Sequence, residues 1–91
     1  MLVKKEVIVK NKTGLHARPA ALFVQLANKY ESEITIIKDD QKVNGKSIMG
    51  ILMLAAEKGA KIIIEADGTD AEEAINDLSG VLSRDIEVDT M

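Results

Sequence analysis

Asn11-Lys12-Thr13-Gly14-Leu15-His16-Ala17-Arg18-Pro19-Ala20-Ala21-Leu22-Phe23-Val24-Gln25-Leu26-Ala27 changes its period partway along. Asn11 to Gly14 are turn residues without periodicity. From Ala17 onward, Ala20, Phe23, Val24 and Ala27 fall at helical spacing, and Leu22 and Leu26 widen the stripe. Pro19 suits the first turn of that helix, where its missing N–H needs no acceptor. Upstream, Val3, Lys5, Val7 and Val9 alternate with Leu2, Lys4, Glu6, Ile8 and Lys10, the period of a half-buried strand. The chain thus begins strand, turn, amphipathic helix, with the helix fraying near Asn28 to Glu31.

Downstream, Glu33 to Lys38 (Ile34, Ile36, Ile37) and Gln41 to Asn44 read as two strands joined by a tight hairpin at Asp39-Asp40. Ser47 is placed to cap a short apolar helix over Ile48 to Leu54. Gly59 is read as the residue that closes this element. Lys61 to Ala66 is a fourth strand, rich in β-branched residues. Thr69-Asp70-Ala71-Glu72 has the pattern of a capping box. The helix that follows carries Ala71, Ala74, Ile75, Leu78 and Leu82 on one face. Gly80 weakens it by ~1 kcal/mol relative to alanine. The order β-α-β-β-α-β-α, without repeat or linker, predicts an α+β fold with helices on one face of a mostly antiparallel sheet.

The chain has 91 residues, which predicts one domain over 1–91, with its core about 2–83 and an acidic tail at 84–91. With 46% hydrophobic and 30% charged residues, the composition is that of a globular protein. No apolar run reaches the ~18–20 residues of a membrane span, and no signal-peptide core follows Met1. Membrane insertion is therefore excluded, and a cytoplasmic location is expected. There is no cysteine and only one histidine, which excludes disulfides, thiolate chemistry and multi-histidine zinc sites. No metal and no cofactor are expected. The net charge of −3 is uneven. Met1 to Glu65 holds 11 basic and 7 acidic residues, whereas Ala66 to Met91 holds 1 basic and 8 acidic. With Phe23 and Tyr30 the only aromatics, and the lysines scattered, direct nucleic-acid binding is not expected.

Chemistry concentrates at Gly14 to Ala20. His16 falls at or beside the N-cap of the first predicted helix, where Ser, Thr, Asp or Asn would serve stability better. Exposed amides and the positive end of the helix dipole make a ready anion site there. A neutral imidazole there has a ring nitrogen available as nucleophile. Arg18 can reach the same anion with paired N–H donors. These groups suit phosphoryl transfer, which is mostly positioning and charge stabilisation. The residues alone leave two readings open: a phosphoryl-accepting histidine, or a surface histidine that tolerates its place. Ser47 is similarly open between a plain N-cap and a modification site. Gly45-Lys46-Ser47 resembles the end of a P-loop, but position 40, where that motif needs glycine, is Asp.

Thr13-Gly14-Leu15-His16-Ala17-Arg18-Pro19-Ala20 resembles the active-site signature of HPr, the histidine-containing phosphocarrier family of the phosphoenolpyruvate-dependent sugar phosphotransferase system. Lys46-Ser47-Ile48-Met49-Gly50 resembles that family's regulatory serine motif, and the similarity covers roughly residues 2 to 83. The resemblance implies an open-faced β-sandwich, a four-stranded antiparallel sheet covered on one face by three helices. It implies a stoichiometric carrier rather than an enzyme with its own turnover. Phosphorylated enzyme I would charge His16 on Nδ1, and the group would pass to a sugar-specific enzyme IIA. Arg18 would steady the phosphoryl group, and the amides of Ala17 and Arg18 would hold its oxygens. Ser47 would be the target of an HPr kinase/phosphorylase, and the modified chain a corepressor for the catabolite control transcription regulator. An apolar surface docks enzyme I in the family, and Met49, Leu52 and Leu15 are assigned to it here. Leu52 and Met53 stand where many members with the serine motif resemble methionine and serine, and the acidic tail has no clear counterpart. Two alternatives follow from the same resemblance. One is a regulatory module acting mainly through Ser47, whose homologues carry another residue in place of the histidine. The other is a carrier of the nitrogen-related branch, which commonly lacks the serine motif.

Overall fold

The alternation that begins the chain forms β1 (Leu2–Ile8). The computed structural model describes residues 1–83, so the tail expected at 84–91 lies outside the described residues. After β1 come α1 (Ala17–Ala27), β2 (Glu33–Lys38), β3 (Gln41–Asn44), α2 (Ile48–Met53), β4 (Lys61–Asp67) and α3 (Ala71–Ser83). Among the described residues the four strands form one antiparallel sheet in the order β1-β4-β2-β3. Register sets Val7 opposite Ile62, Ile36 opposite Ile64 and Ile34 opposite Ala66, so these side chains share a face. All of them are buried, together with Phe23 of α1, Ile51 of α2 and Leu78 and Leu82 of α3. The opposite face carries Lys4, Glu6, Lys61 and Glu65. Ion pairs cross it at 3.4 Å (Lys4–Glu65) and 4.0 Å (Lys61–Glu6). The Lys61–Glu6 pair is exposed at both ends and stabilises the fold little, whereas Glu65 is half-buried. The architecture is the open-faced α+β sandwich.

Two element ends differ from the sequence reading. The closing residue of α2 is not Gly59: the helix stops at Met53, and Ala55 takes the left-handed conformation (φ 50°). Leu54 is driven into the core at 2% exposure, and the Lys38 ammonium donates to its carbonyl at 3.2 Å, so the chain turns inward there. Gly59 (φ 92°) instead shapes the turn into β4, its N–H donating to the Val9 carbonyl at 2.8 Å.

The second difference is at α3, which starts at Ala71 and not one residue earlier. The Ala74 N–H donates to the Asp70 carbonyl at 2.9 Å. The Asp70 carboxylate turns away from its own helix. It accepts from the Ser32 hydroxyl and from the N–H groups of Glu31 (2.9 Å) and Ser32 (3.0 Å), clamping the loop after α1. A long-range clamp replaces the local capping box. The Ser32 hydroxyl first, then the Glu31 amide, hold the Asp70 carboxyl below its ordinary value of 3.8. Because the folded value is lowered, the clamp's contribution is present above pH 3.8 and is lost as pH falls through the folded value. Asp70→Asn therefore lowers the melting temperature at neutral pH and flattens its fall in acid. Melting curves between pH 2 and 7 check this; an unchanged acid limb would contradict it. Beside the clamp, the Tyr30 hydroxyl donates to the Asp77 carboxylate, which pushes the phenol up to about 12.

Candidate functional site

Gly14 sets the entry to α1. Its φ of +74° is a conformation that L side chains rarely adopt, and an added Cβ would lie 2.5 Å from the Ala56 carbonyl oxygen. The next residue uses that same oxygen: the Leu15 N–H donates to it at 2.8 Å. The Gly14 N–H donates to the Asn11 carbonyl, and the His16 N–H to the Gly14 carbonyl, each at 3.0 Å. The loop is thus sewn to itself and to the segment that follows α2.

His16 is the N-cap of α1, extended at φ −86° and ψ −172°, and its ring makes no capping hydrogen bond. Its carbonyl accepts from the Ala20 N–H at 2.9 Å, so the backbone cap is made while the side chain is left exposed. Ala17 and Arg18 are also exposed, while Pro19 and Ala20 are buried. The first amides of an α-helix lie outside its i→i−4 ladder and direct partial positive charge along the axis. Here those amides belong to Ala17 and Arg18, next to the imidazole.

An open cleft of about 340 Å³ lies beside His16. It is lined by Thr13, Leu15 and His16 and, from the end of α2 and the segment after it, by Leu52, Ala55, Ala56 and Glu57. Those last four lie some forty positions along the chain, and no local signal near His16 announces them. The start of α2 holds the second candidate. The Ser47 hydroxyl accepts from the Gly50 N–H at 3.1 Å and is half-buried. The turn before it is held by Asn28, whose amide donates to the Lys46 carbonyl at 3.4 Å. Lys46 in turn donates to the Tyr30 carbonyl at 2.7 Å.

Between the two sites, α2 presents an apolar face. Met49 is 65% exposed and Leu52 38%, and Ile48 and Met53 extend the stripe. Exposure of Ile48 and Met53 is not apparent in the sequence, because Ile51 and Leu54 alone anchor this short helix. Leu15 requires a correction. Assigned to a docking surface by resemblance, it is only 4% exposed and joins the core, borrowed by the hydrophobic interior under the His16 loop. It borders the cleft without offering a side chain to a partner. Among the described residues, no helix is long and apolar enough to cross a membrane.

The family model described as "PTS HPr component phosphorylation site" matches residues 3–84. The chain is 51% identical to the HPr-like protein Crh of Halalkalibacterium halodurans over 84 residues, 92% of this chain and all of that one. It is 45% identical to the phosphocarrier protein HPr of Neisseria meningitidis, over 90% of this chain and 92% of that one. Among solved structures, the phosphocarrier protein HPr of Bacillus anthracis superposes with a TM-score of 0.86 at 52% identity. That match covers 89% of this chain and 96% of the other. With the family model matching residues 3–84 and the fold shared with a solved HPr, the chain belongs to the HPr family of phosphocarrier proteins.

Proposed function

We propose that this chain relays a phosphoryl group on His16 between enzyme I and the enzyme IIA domains of the sugar phosphotransferase system, in the cytoplasm. The observation that carries the reading is an exposed histidine at a helix N-cap whose ring is committed to no cap bond. In the step, the lone pair of the imidazole Nδ1 attacks phosphorus. A nitrogen–phosphorus bond forms as the donor's bond to phosphorus breaks, its electron pair leaving with the donor. Charge builds on the three phosphoryl oxygens. The Ala17 and Arg18 amides meet that charge, and the Arg18 guanidinium adds paired donors. The same groups serve the reverse step, which delivers the phosphoryl group onward. The exposed face of Met49 and Leu52 beside the cleft suits partner docking.

Ser47 is the regulatory residue in this reading, through an HPr kinase/phosphorylase and the catabolite control transcription regulator. The relative that favours a regulatory role is the Crh protein at 51% identity; the presence of His16 favours the relay, and the two roles are compatible. Phosphate on an N-cap is stabilised by the helix dipole and adds ~1.5–2 negative charges beside the exposed face of α2. Ser47→Asp keeps a capping side chain and adds one charge. We expect it to fold as wild type and to slow acceptance from enzyme I by about tenfold. The check is the second-order rate of phosphoryl acceptance in both proteins; equal rates would remove Ser47 from regulation.

A further inference from the structure

The cleft beside His16 is lined by an acidic residue as well. Glu57 lines it together with His16, and among the described lining residues no other carboxylate is present. Its backbone is fixed: a Cβ on Gly14 would lie 2.9 Å from the Glu57 Cα, and the Glu57 carbonyl accepts from the Ala60 N–H at 2.9 Å. The side chain itself is exposed. Among the described residues, the charges nearest His16 along the chain are basic, as is the neighbour of Glu57. Arg18 lies on the first turn of α1, Lys12 on the entry loop and Lys58 next to Glu57. Lys38 reaches the end of α2 through the Leu54 carbonyl. The dipole and first-turn amides of α1 favour an anion; Glu57 opposes one.

A carrier that held its cargo tightly would accept well and deliver poorly. We propose that Glu57 weakens the site's hold on the phosphoryl group by like-charge repulsion within the cleft, keeping transfer close to balanced in both directions. This rests on the relay reading. A carboxylate lining the same exposed cleft as a phosphoryl dianion, in largely water-like surroundings, changes its binding by about two- to fivefold at low ionic strength.

Charge scaling gives the test. Glu57→Gln removes one unit of charge and Glu57→Lys reverses it, both at an exposed position where the fold tolerates change. Titration with inorganic phosphate, followed by the amide NMR shifts of Ala17 and Arg18, reads anion affinity without any partner. The dissociation constant is expected to fall about two- to fivefold in the Gln variant and by about the square of that factor in the Lys variant. Both effects should shrink in about 0.5 M salt. At equilibrium with phosphorylated enzyme I, the charged fraction of the carrier should rise in the same order. Variants that match wild type in phosphate affinity and in charged fraction at low salt would overturn the role of Glu57. If affinity follows the charge but wild-type protein takes no phosphoryl group from enzyme I, the relay reading falls while the Glu57 effect on the anion site stands.

Discussion

His16→Ala leaves the fold intact and abolishes phosphoryl acceptance. Alanine at an N-cap normally costs about 0.5–2 kcal/mol, because a side-chain bond to the first turn is lost. The His16 ring makes no such bond and is exposed, so the expected loss is at most ~1 kcal/mol. Function has no such reserve. His16 is the only histidine in the chain, so no second imidazole can take the group. Thermal unfolding and intact mass after incubation with enzyme I and phosphoenolpyruvate check the two halves of the expectation. A large stability loss would make His16 a structural residue, and an acid-labile adduct on the variant would place the chemistry elsewhere.

Gly14→Ala is expected to have the largest effect on stability of any single methyl addition near the site. Two costs combine. A left-handed φ of +74° costs a non-glycine residue ~1–2 kcal/mol. The new Cβ would also sit 2.5 Å from the Ala56 carbonyl oxygen, a backbone atom that cannot rotate away. Relief requires the His16 loop and the segment after α2 to part, stretching the Leu15–Ala56 hydrogen bond. Together these amount to ~2–4 kcal/mol. For a domain of this size, the melting temperature should fall by about 10 °C or more. Both segments that line the cleft move with that adjustment, so phosphoryl acceptance should slow in the folded fraction as well. A melting temperature within a few degrees of wild type would show that the loop absorbs the methyl group.

What was legible in the sequence was local. The period-two run of β1, the helical stripe of α1, the Asp39-Asp40 hairpin and the Ser47 cap each depend on neighbours within a few positions, and each formed as expected. The place of His16 at the N-cap of α1 was legible for the same reason: a histidine there is a local departure from what stability favours. The differences all involve contacts between distant segments. The expected capping box of Thr69 and Glu72 gives way to a helix start at Ala71, where the Asp70 carboxylate accepts three donors from Glu31 and Ser32, nearly forty positions away. Leu15 is buried because the loop is fastened to Ala56. Ala55 adopts a left-handed conformation because Leu54 must reach the core. The part of the cleft lined by Leu52, Ala55, Ala56 and Glu57 is assembled by the same long-range packing and has no signature near the histidine.

Whether His16 carries the phosphoryl group is read from a single experiment. Wild-type protein is incubated with enzyme I and phosphoenolpyruvate, its intact mass is read before and after mild acid, and the modified residue is then located by NMR of the imidazole. The expected result is a single phosphoryl group, lost in acid and attached to Nδ1 of His16. No adduct with a competent enzyme I, or an acid-stable adduct on another residue, would contradict it.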